Sequence, residues 1–517
     1  MPKITFTGNT EFNVLYFSDV HANTKNLPHF KTAVDSFNRI NEGKRTLKLA
    51  GGDLNVDIAI KPNKFILKFM DLIGLDASSF GNHDIEGGDY FAQAVEEAKP
   101  KFKFLSSNLN FSRKNEVEEK IAKSTIIEKD GERVGVIGVS PVGYGKLTNI
   151  TPFNDYIAVK SFGQTLRAVR QEVRSLEKKS INKIFLLAHT GKTSNKGFEY
   201  YEYLAKIGGI DVIIGGHDHI EHNLWYESER KDKSGKKEPV KVVSTGKAEG
   251  KNITGEDLGS FGVLKAVFDD NGILVKDECH NDFDLSQKYA KSQEIVDWEE
   301  KELETGKVIG HTDKDLKCIK RGTEENPVAD LAADAMLWIV NRDTKGEKAQ
   351  IAFVNSGTIR GDFSKGEIKI GQIRQAVPFT ATTLIKTTLT KKQIMDTLNW
   401  CVESTTHPKI TPGLMQVGGM KYTIGRDKKV KDVYLTDKAG KITERIDDKP
   451  DNKRYNVIHD VFLMTGVAGL SELKKEPMDP TVEYFPYSRQ DALIEYLTEN
   501  FKDKPVKLKT GRIKIEK

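Results

Sequence analysis

Residues 212–219 read VIIGGHDH. A short apolar run ends in a glycine pair, and His217, Asp218 and His219 follow at once. A buried strand closed by a tight polar turn marks the edge where layered α/β sheets bind ligands. The pattern recurs upstream. Val14–Phe17 precedes Asp19 and His21, Leu47–Ala50 precedes Gly51, Gly52 and Asp53, and Ile184–Ala188 precedes His189. Gly81, Asn82, His83 and Asp84 form a fifth cluster. Glycine lets backbone bend sharply and approach closely at such turns. Five of the eleven histidines fall in these clusters, so unrelated structural roles would require repeated coincidence at one edge of one sheet.

Singly, each cluster reads as a structural histidine or an ordinary turn. Together they mix imidazole and carboxylate, a donor set that suits Zn, Mn, Fe or Co better than Ca or Mg alone. Two such ions, roughly 3.5–4 Å apart, activate water and clamp both oxygens of an in-line phosphoryl displacement. A carboxylate can bridge them through its two oxygens, while neutral His and Asn complete the shells without adding charge.

The chain has 517 residues, too many for one ordinary core. Its formal charge of +5 comes from 80 basic and 75 acidic residues, a near balance that gives no electrostatic case for binding duplex nucleic acid. Cys279, Cys318 and Cys401 are odd in number and widely spaced, which argues against a disulfide framework. The sequence contains no transmembrane-length apolar stretch, and its first residues show no signal-like core. The expectation is a soluble protein of unassigned compartment and oligomeric state.

Residues 1–283 alternate apolar runs, Val134–Val139 among them, with helical patterns such as Phe30–Asn41 and Gln164–Lys178. Residues Ser228–Lys241, rich in Lys, Ser and Gly, read as an exposed loop between two strands. Residues 284–306 read as one exposed connecting helix, Asp284–Thr305, with Gly306 as its stop. Residues 307–517 form a second α/β region. There, Thr390 with Gln393 and Ser488 with Asp491 have capping-box spacing.

The ordered set DVH, GGD, GNHD, lone His and GGHDH resembles the calcineurin-like metallophosphoesterases. The second half resembles the companion domain of the 5′-nucleotidases through Asn326–Met336, Asn355–Arg360, Val377–Phe379 and Phe462–Leu470. The resemblance implies a four-layer α/β/β/α metallophosphoesterase sandwich, joined by a helix to a smaller α/β substrate-binding domain. It implies one divalent ion on Asp19, His21, Asp53 and His219, and another on Asp53, Asn82, His189 and His217, with Asp53 as the bridge. His83 is then a non-ligand that steadies phosphate, oriented by Glu86 where the family typically carries Asp; Asp84 is a less well placed substitute. Asn355, Arg360 and Arg342 are matched to substrate contacts, and Phe379 and Phe462 to a pair of aromatics around a nucleobase. Such a slot grips any base through its π face.

One segment departs from the family. After the second aromatic the family carries Gly-Gly-Asp-Gly-Phe, whose Asp binds ribose, whereas this chain reads Gly466-Val467-Ala468-Gly469-Leu470. The implied function is a two-metal phosphoester hydrolase that attacks nucleoside 5′-monophosphates or related nucleotides with metal-activated hydroxide. The rivals are a relative acting on a non-nucleotide, phosphodiester or pyrophosphate bond, and a surface or binding protein of degenerate activity. Relatives of this kind are commonly exported. His29, His222, His280, His311, His407 and His459 lie outside the motif set, and His222 is the exception to watch because it follows GGHDH closely.

Overall fold

A computed structural model describes residues 9–56, 58–142, 152, 154–193, 197, 199–232, 234–246, 259–318, 320–378, 383–406, 413–447, 452–466, 469–476 and 479–516. The chain divides into two compact units, with the main boundary after Leu303.

The first unit is built on two sheets. One has seven strands, in the spatial order Leu274–Phe283, Ser260–Phe268, Thr10–Phe17, Thr46–Ala50, Ala77–Ser79, Lys103–Leu105 and Ile121–Ala122. The other has six, in the order His222–Lys231, Lys237–Ser244, Val212–Gly215, Ile184–Ala188, Glu132–Val139 and Ser124–Lys129. Phe12, Val14 and Leu49 of the first sheet share a buried core with Phe185, Leu187 and Ile214 of the second. The sheets therefore pack face to face. Their outer faces are also apolar. Phe17 meets Phe30 of the helix Leu27–Ile40 at 5.0 Å, and Ile137 and Leu186 pack with Val169, Val173 and Leu176 of the helix Phe162–Glu177. This is an α/β/β/α layering. The central strands are apolar throughout because both of their faces are covered.

The segment after the first unit's last strand differs from the single exposed helix expected over 284–306. It forms two short helices, Leu285–Lys288 and Gln293–Leu303, and they pack on the first unit. Tyr289 O bonds His29 Nδ1 at 2.6 Å, Ser292 N donates to Pro28 O at 3.0 Å, and the Trp298 ring lies 4.6 Å from that of Phe65. Tyr289 is extended between the two helices. Residues 228–241 differ as well: most belong to the antiparallel strands His222–Lys231 and Lys237–Ser244, with a register irregularity between Glu227 and Lys231. Their polar composition reflects an edge strand at the sheet margin.

The second unit has a five-stranded sheet, in the order Met415–Gly418, Ile351–Asn355, Arg454–Asp460, Leu384–Thr390 and Glu483–Phe485, and a four-stranded sheet, Ile442–Ile446, Val430–Thr436, Met420–Ile424 and Ile513–Ile515. The helix Pro327–Asp343 starts where the Asn326 side chain accepts from Val328 N and Ala329 N, with Pro at its first position. Thr390 and Ser488 cap the helices Lys391–Ser404 and Arg489–Asn500. Among the described residues no helix is long and apolar enough to cross a membrane.

Ile295 is fully buried. If its helix belongs to the first unit's core, Ile295→Ala should lower unfolding free energy by about 2–4 kcal/mol in urea. Val275→Ala, at a residue 53% exposed, should cost under about 0.5 kcal/mol. Equal small effects would contradict this docking.

Candidate metal centre

The metal-type side chains lie just beyond the carboxyl ends of parallel strands. The strand Thr10–Phe17 runs parallel to Thr46–Ala50 and delivers Asp19 and His21 beside Asp53. The strand Ile184–Ala188 runs parallel to Val212–Gly215 and delivers His189 beside His217 and His219. The sequence reading puts these residues along one sheet; they come from two. The reason is the shared core: facing sheets bring two carboxyl edges together, and the cluster spans both.

Backbone bonds zip the loops to one another. Asp19 N donates to Gly52 O at 3.0 Å, Val20 N and His21 N both donate to Asp53 O, at 2.9 and 3.0 Å, and Gly191 N donates to Gly216 O at 3.0 Å. Asp19, His21, Asp53, His217 and His219 all have left-handed backbone, with φ of 57°, 49°, 53°, 88° and 54°. Non-glycine residues seldom adopt that region, and such strain gathers at functional sites.

Ligand-type atoms converge in three overlapping sets: Asp19, His21 and His219; His21, Asp53 and His83; and Asp53, His189 and His217. Asp53 Oδ2 lies 2.9 Å from His189 Nε2 and 3.4 Å from His21 Nε2. Asp19 Oδ1 lies 3.6 Å from His219 Nε2. Asn82 joins them, its side-chain amide 3.0 Å from His217 Nδ1. His189 Nδ1 donates to Gly51 O at 2.7 Å, which fixes the tautomer and turns Nε2 inward. That Nε2 is fully buried and makes no hydrogen bond of good geometry.

Electrostatics point the same way. Burial alone would raise the Asp53 pKa, but the His189 and His83 charges outweigh it and hold the carboxyl well below its ordinary range. Burial opposes protonation of His189, yet Asp53 carries its pKa up to about 9. Burial and then His189 depress His217 to about 4. Convergent imidazoles around two buried carboxylates form a cluster that attracts cations. Its donors fit divalent Zn, Mn, Fe or Co.

His83 Nδ1 lies 2.9 Å from Glu86 Oε2, so the longer acid spans the gap. A His83 nitrogen also falls within one convergent set with His21 and Asp53. Asp84 does a different job from that of a substitute partner for His83. It is fully buried. Its Oδ2 accepts from Asp53 N and Gly81 N, at 3.1 and 3.0 Å, and its Oδ1 from Asn55 N and Nδ2, at 3.1 and 2.9 Å. The sequence signal is the presence of GNHD alongside GGD, but composition does not show that Asp84 points at backbone. Gly81 is required for the same approach, since a Cβ there would come within 2.6 Å of Asp53 Cγ.

In the second unit, Asn355 caps the turn Ser356–Thr358 by accepting from Thr358 N, and Arg360 is exposed at its end. Phe462 is 42% exposed on the short helix Val461–Met464, whose cap is Asp460. Phe379, Val467, Ala468 and His407 lie outside the described residues. Arg342 is engaged in ion pairs. Its guanidinium bonds Asp343 at 2.7 Å, Glu495 at 2.8 Å and Glu499 at 3.2 Å. It sits in the last turn of its helix against the acidic face of Arg489–Asn500, so carboxylates and the Tyr487 hydroxyl satisfy its donors.

Removing the Asp84 carboxylate strips four buried N–H groups of their acceptor. Asp84→Ala should therefore lose about 3 kcal/mol or more in denaturant unfolding. A loss under about 1 kcal/mol would show that these bonds do not hold the loops.

Comparison with known proteins follows the two units. The model for calcineurin-like phosphoesterase matches residues 12–221, and that for the 5′-nucleotidase C-terminal domain matches residues 308–475. The trifunctional nucleotide phosphoesterase protein YfkN of Bacillus subtilis is 25% identical over 93% of this chain; the chain spans only 33% of that relative's length. An apyrase of Anopheles gambiae is 25% identical over 82% of the chain and 72% of its own length. Among solved structures, a 5′-nucleotidase precursor from Thermus thermophilus aligns over 98% of this chain and 99% of its own, with TM-score 0.57 and 21% identity, which bears on the fold. With both domain models matched in order along it, the chain joins a calcineurin-like phosphoesterase domain to a 5′-nucleotidase C-terminal domain.

Proposed function

We propose that the chain is a two-metal phosphoester hydrolase acting on nucleoside 5′-monophosphates or related nucleotides. The observation that carries this reading is the convergence of Asp19, His21, Asp53, Asn82, His189, His217 and His219 at the facing edges of two sheets. Asp19, His21, Asp53 and His219 would hold one divalent ion. Asp53, Asn82, His189 and His217 would hold the other. When bound, the pair supplies activated water and neutralises charge on the phosphoryl oxygens.

The chain's own groups supply orientation. Glu86 fixes the His83 ring through Nδ1, so that its other edge can donate to a phosphoryl oxygen as negative charge develops. His21, His83 and His219 are partly exposed, with side chains 18%, 29% and 33% accessible, and so give substrate a face to approach. Buried Asp53 and His189 form the floor. In the second unit, Arg360 and Asn355 are the candidates for substrate contact, and Phe462 with Phe379 for the base. Arg342 would join them only by giving up its carboxylate partners.

The names of the relatives support nucleotides as the substrate class. The Ala468 departure supports weak discrimination of the sugar. Phosphate release from AMP and dAMP, with Mn, Zn or Co added, should therefore proceed at similar kcat/KM. A ribose contact would separate the two by about 1.5–3 kcal/mol. Good hydrolysis of simple esters with neither nucleotide accepted would move the assignment to a non-nucleotide phosphoester. No turnover on any phosphate ester would favour the binding-protein alternative.

Two substitutions test the centre. Asp53→Asn should abolish most turnover and leave fewer than two metal equivalents by elemental analysis. His83→Ala should keep both metals while turnover falls on the order of 10²–10³. Metal loss in His83→Ala equal to that in His217→Ala would make His83 a ligand.

A further inference from the structure

Asp218 stands between His217 and His219, yet its carboxylate is engaged elsewhere. Oδ2 accepts from Lys192 N at 2.8 Å and from His222 Nε2 at 2.9 Å. Oδ1 accepts from Ile220 N at 3.3 Å. Lys192 is the third residue after His189. One carboxylate thus ties the loop that carries His189 to the loop that carries His217 and His219. Gly191 N, bonded to Gly216 O at 3.0 Å, is a second tie between the same loops.

His222 is well placed to hold Asp218. It is the first residue of the strand His222–Lys231 and is 8% exposed. Its backbone N donates to Ser244 Oγ at 3.0 Å, and that hydroxyl donates to Ile220 O at 2.7 Å. Its ring meets buried Tyr201 edge-on at 5.7 Å. The imidazole is therefore anchored in the sheet while its Nε2–H reaches the loop. This is the arrangement by which outer groups orient metal ligands.

We propose that Asp218 and His222 form a latch whose task is metal binding, and that both are positioning residues. The inference rests on the two-metal reading. It also goes beyond that reading, because the latch acts unequally on the two ions. The set Asp53, His189 and His217 takes one ligand from each of the two tied loops. The set Asp19, His21 and His219 takes only His219 from them. Loosening the tie separates His189 from His217 but leaves Asp19 and His21 where the Asp53 loop holds them.

The test is calorimetric titration of chelator-stripped protein with Zn or Mn. The wild type should take up two equivalents. His222→Leu and Asp218→Ala should weaken one step about 10–100-fold and shift the other by less than about threefold. His222→Gln, whose amide can still donate to Asp218, should recover most of the loss. Unchanged binding, equal weakening of both steps, or a Gln variant no better than Leu would overturn the latch. If His222→Leu fails to fold by circular dichroism, Asp218→Asn carries the test. It retains shape and one acceptor, and should weaken the same step by a smaller factor; no change would again overturn the latch. A wild type that binds fewer than two equivalents defeats the two-metal reading itself, and the latch with it. Two equivalents bound with unchanged affinity in wild type and variants alike defeat the latch alone.

Discussion

The direction of the Asp53 carboxylate is the constraint on which the rest of the first unit depends. Asp53 has left-handed backbone, a conformation that costs roughly 1–2 kcal/mol for a residue with a Cβ. The buried Asp84 helps to maintain it, by accepting the N–H groups of Asp53 itself and of Asn55; Val20 N and His21 N donate to Asp53 O, and His83 N donates to Asp53 Oδ1 at 2.9 Å. With Oδ1 so engaged, Oδ2 is left facing His21 and His189. Two neighbouring carboxylates in the interior repel. The repulsion is tolerated because one is saturated with backbone donors and the other faces imidazoles.

Much of this was legible in the sequence because most residues of the cluster follow an apolar run. Val14–Phe17, Ile184–Ala188 and Val212–Ile214 fall within the strands Thr10–Phe17, Ile184–Ala188 and Val212–Gly215, since buried parallel strands tolerate few polar residues on either face. The pairing of strands was not legible. Both sheets contain short, buried apolar strands, so an apolar run does not say which sheet it joins. For the same reason the cluster reads as the edge of one sheet. The connecting segment misleads differently: its sparse apolar residues match a solvated helix, yet Ile295 and Trp298 dock, and an extended Tyr289 separates two helices.

The second unit shows where pattern gives way to context. An arginine eight residues after Asp334 fits a phosphate contact as readily as a surface pair. Its ion pairs come from the facing helix Arg489–Asn500, through Glu495 and Glu499; no local window contains that information. Phe462 has the opposite history. A phenylalanine usually packs in a core, but here Asp460 caps a single turn that holds the ring in solvent. Asp460 is itself paired with Arg489, a guanidinium fully buried and depressed by burial to about 10. A buried pair of this kind adds little stability. It fixes the orientation of the turn beneath Phe462.

The glycine motifs owe their legibility to packing between loops. A Cβ on Gly51 would come within 3.0 Å of both the Gly215 carbonyl carbon and Ser18 Cβ. The Gly-Gly of the Asp53 loop and the Gly-Gly of the His217 loop are therefore two sides of one contact, and the residue before Asp19 is the third. Each motif excludes side chains because another motif occupies the space. The consequence runs back to chemistry. Loops packed this closely, and tied by backbone hydrogen bonds, hold the carboxylates and imidazoles at a fixed spacing without an ion. Preorganisation of this kind removes the cost of gathering ligands from the binding step, and it puts that cost into folding the two sheets that carry them.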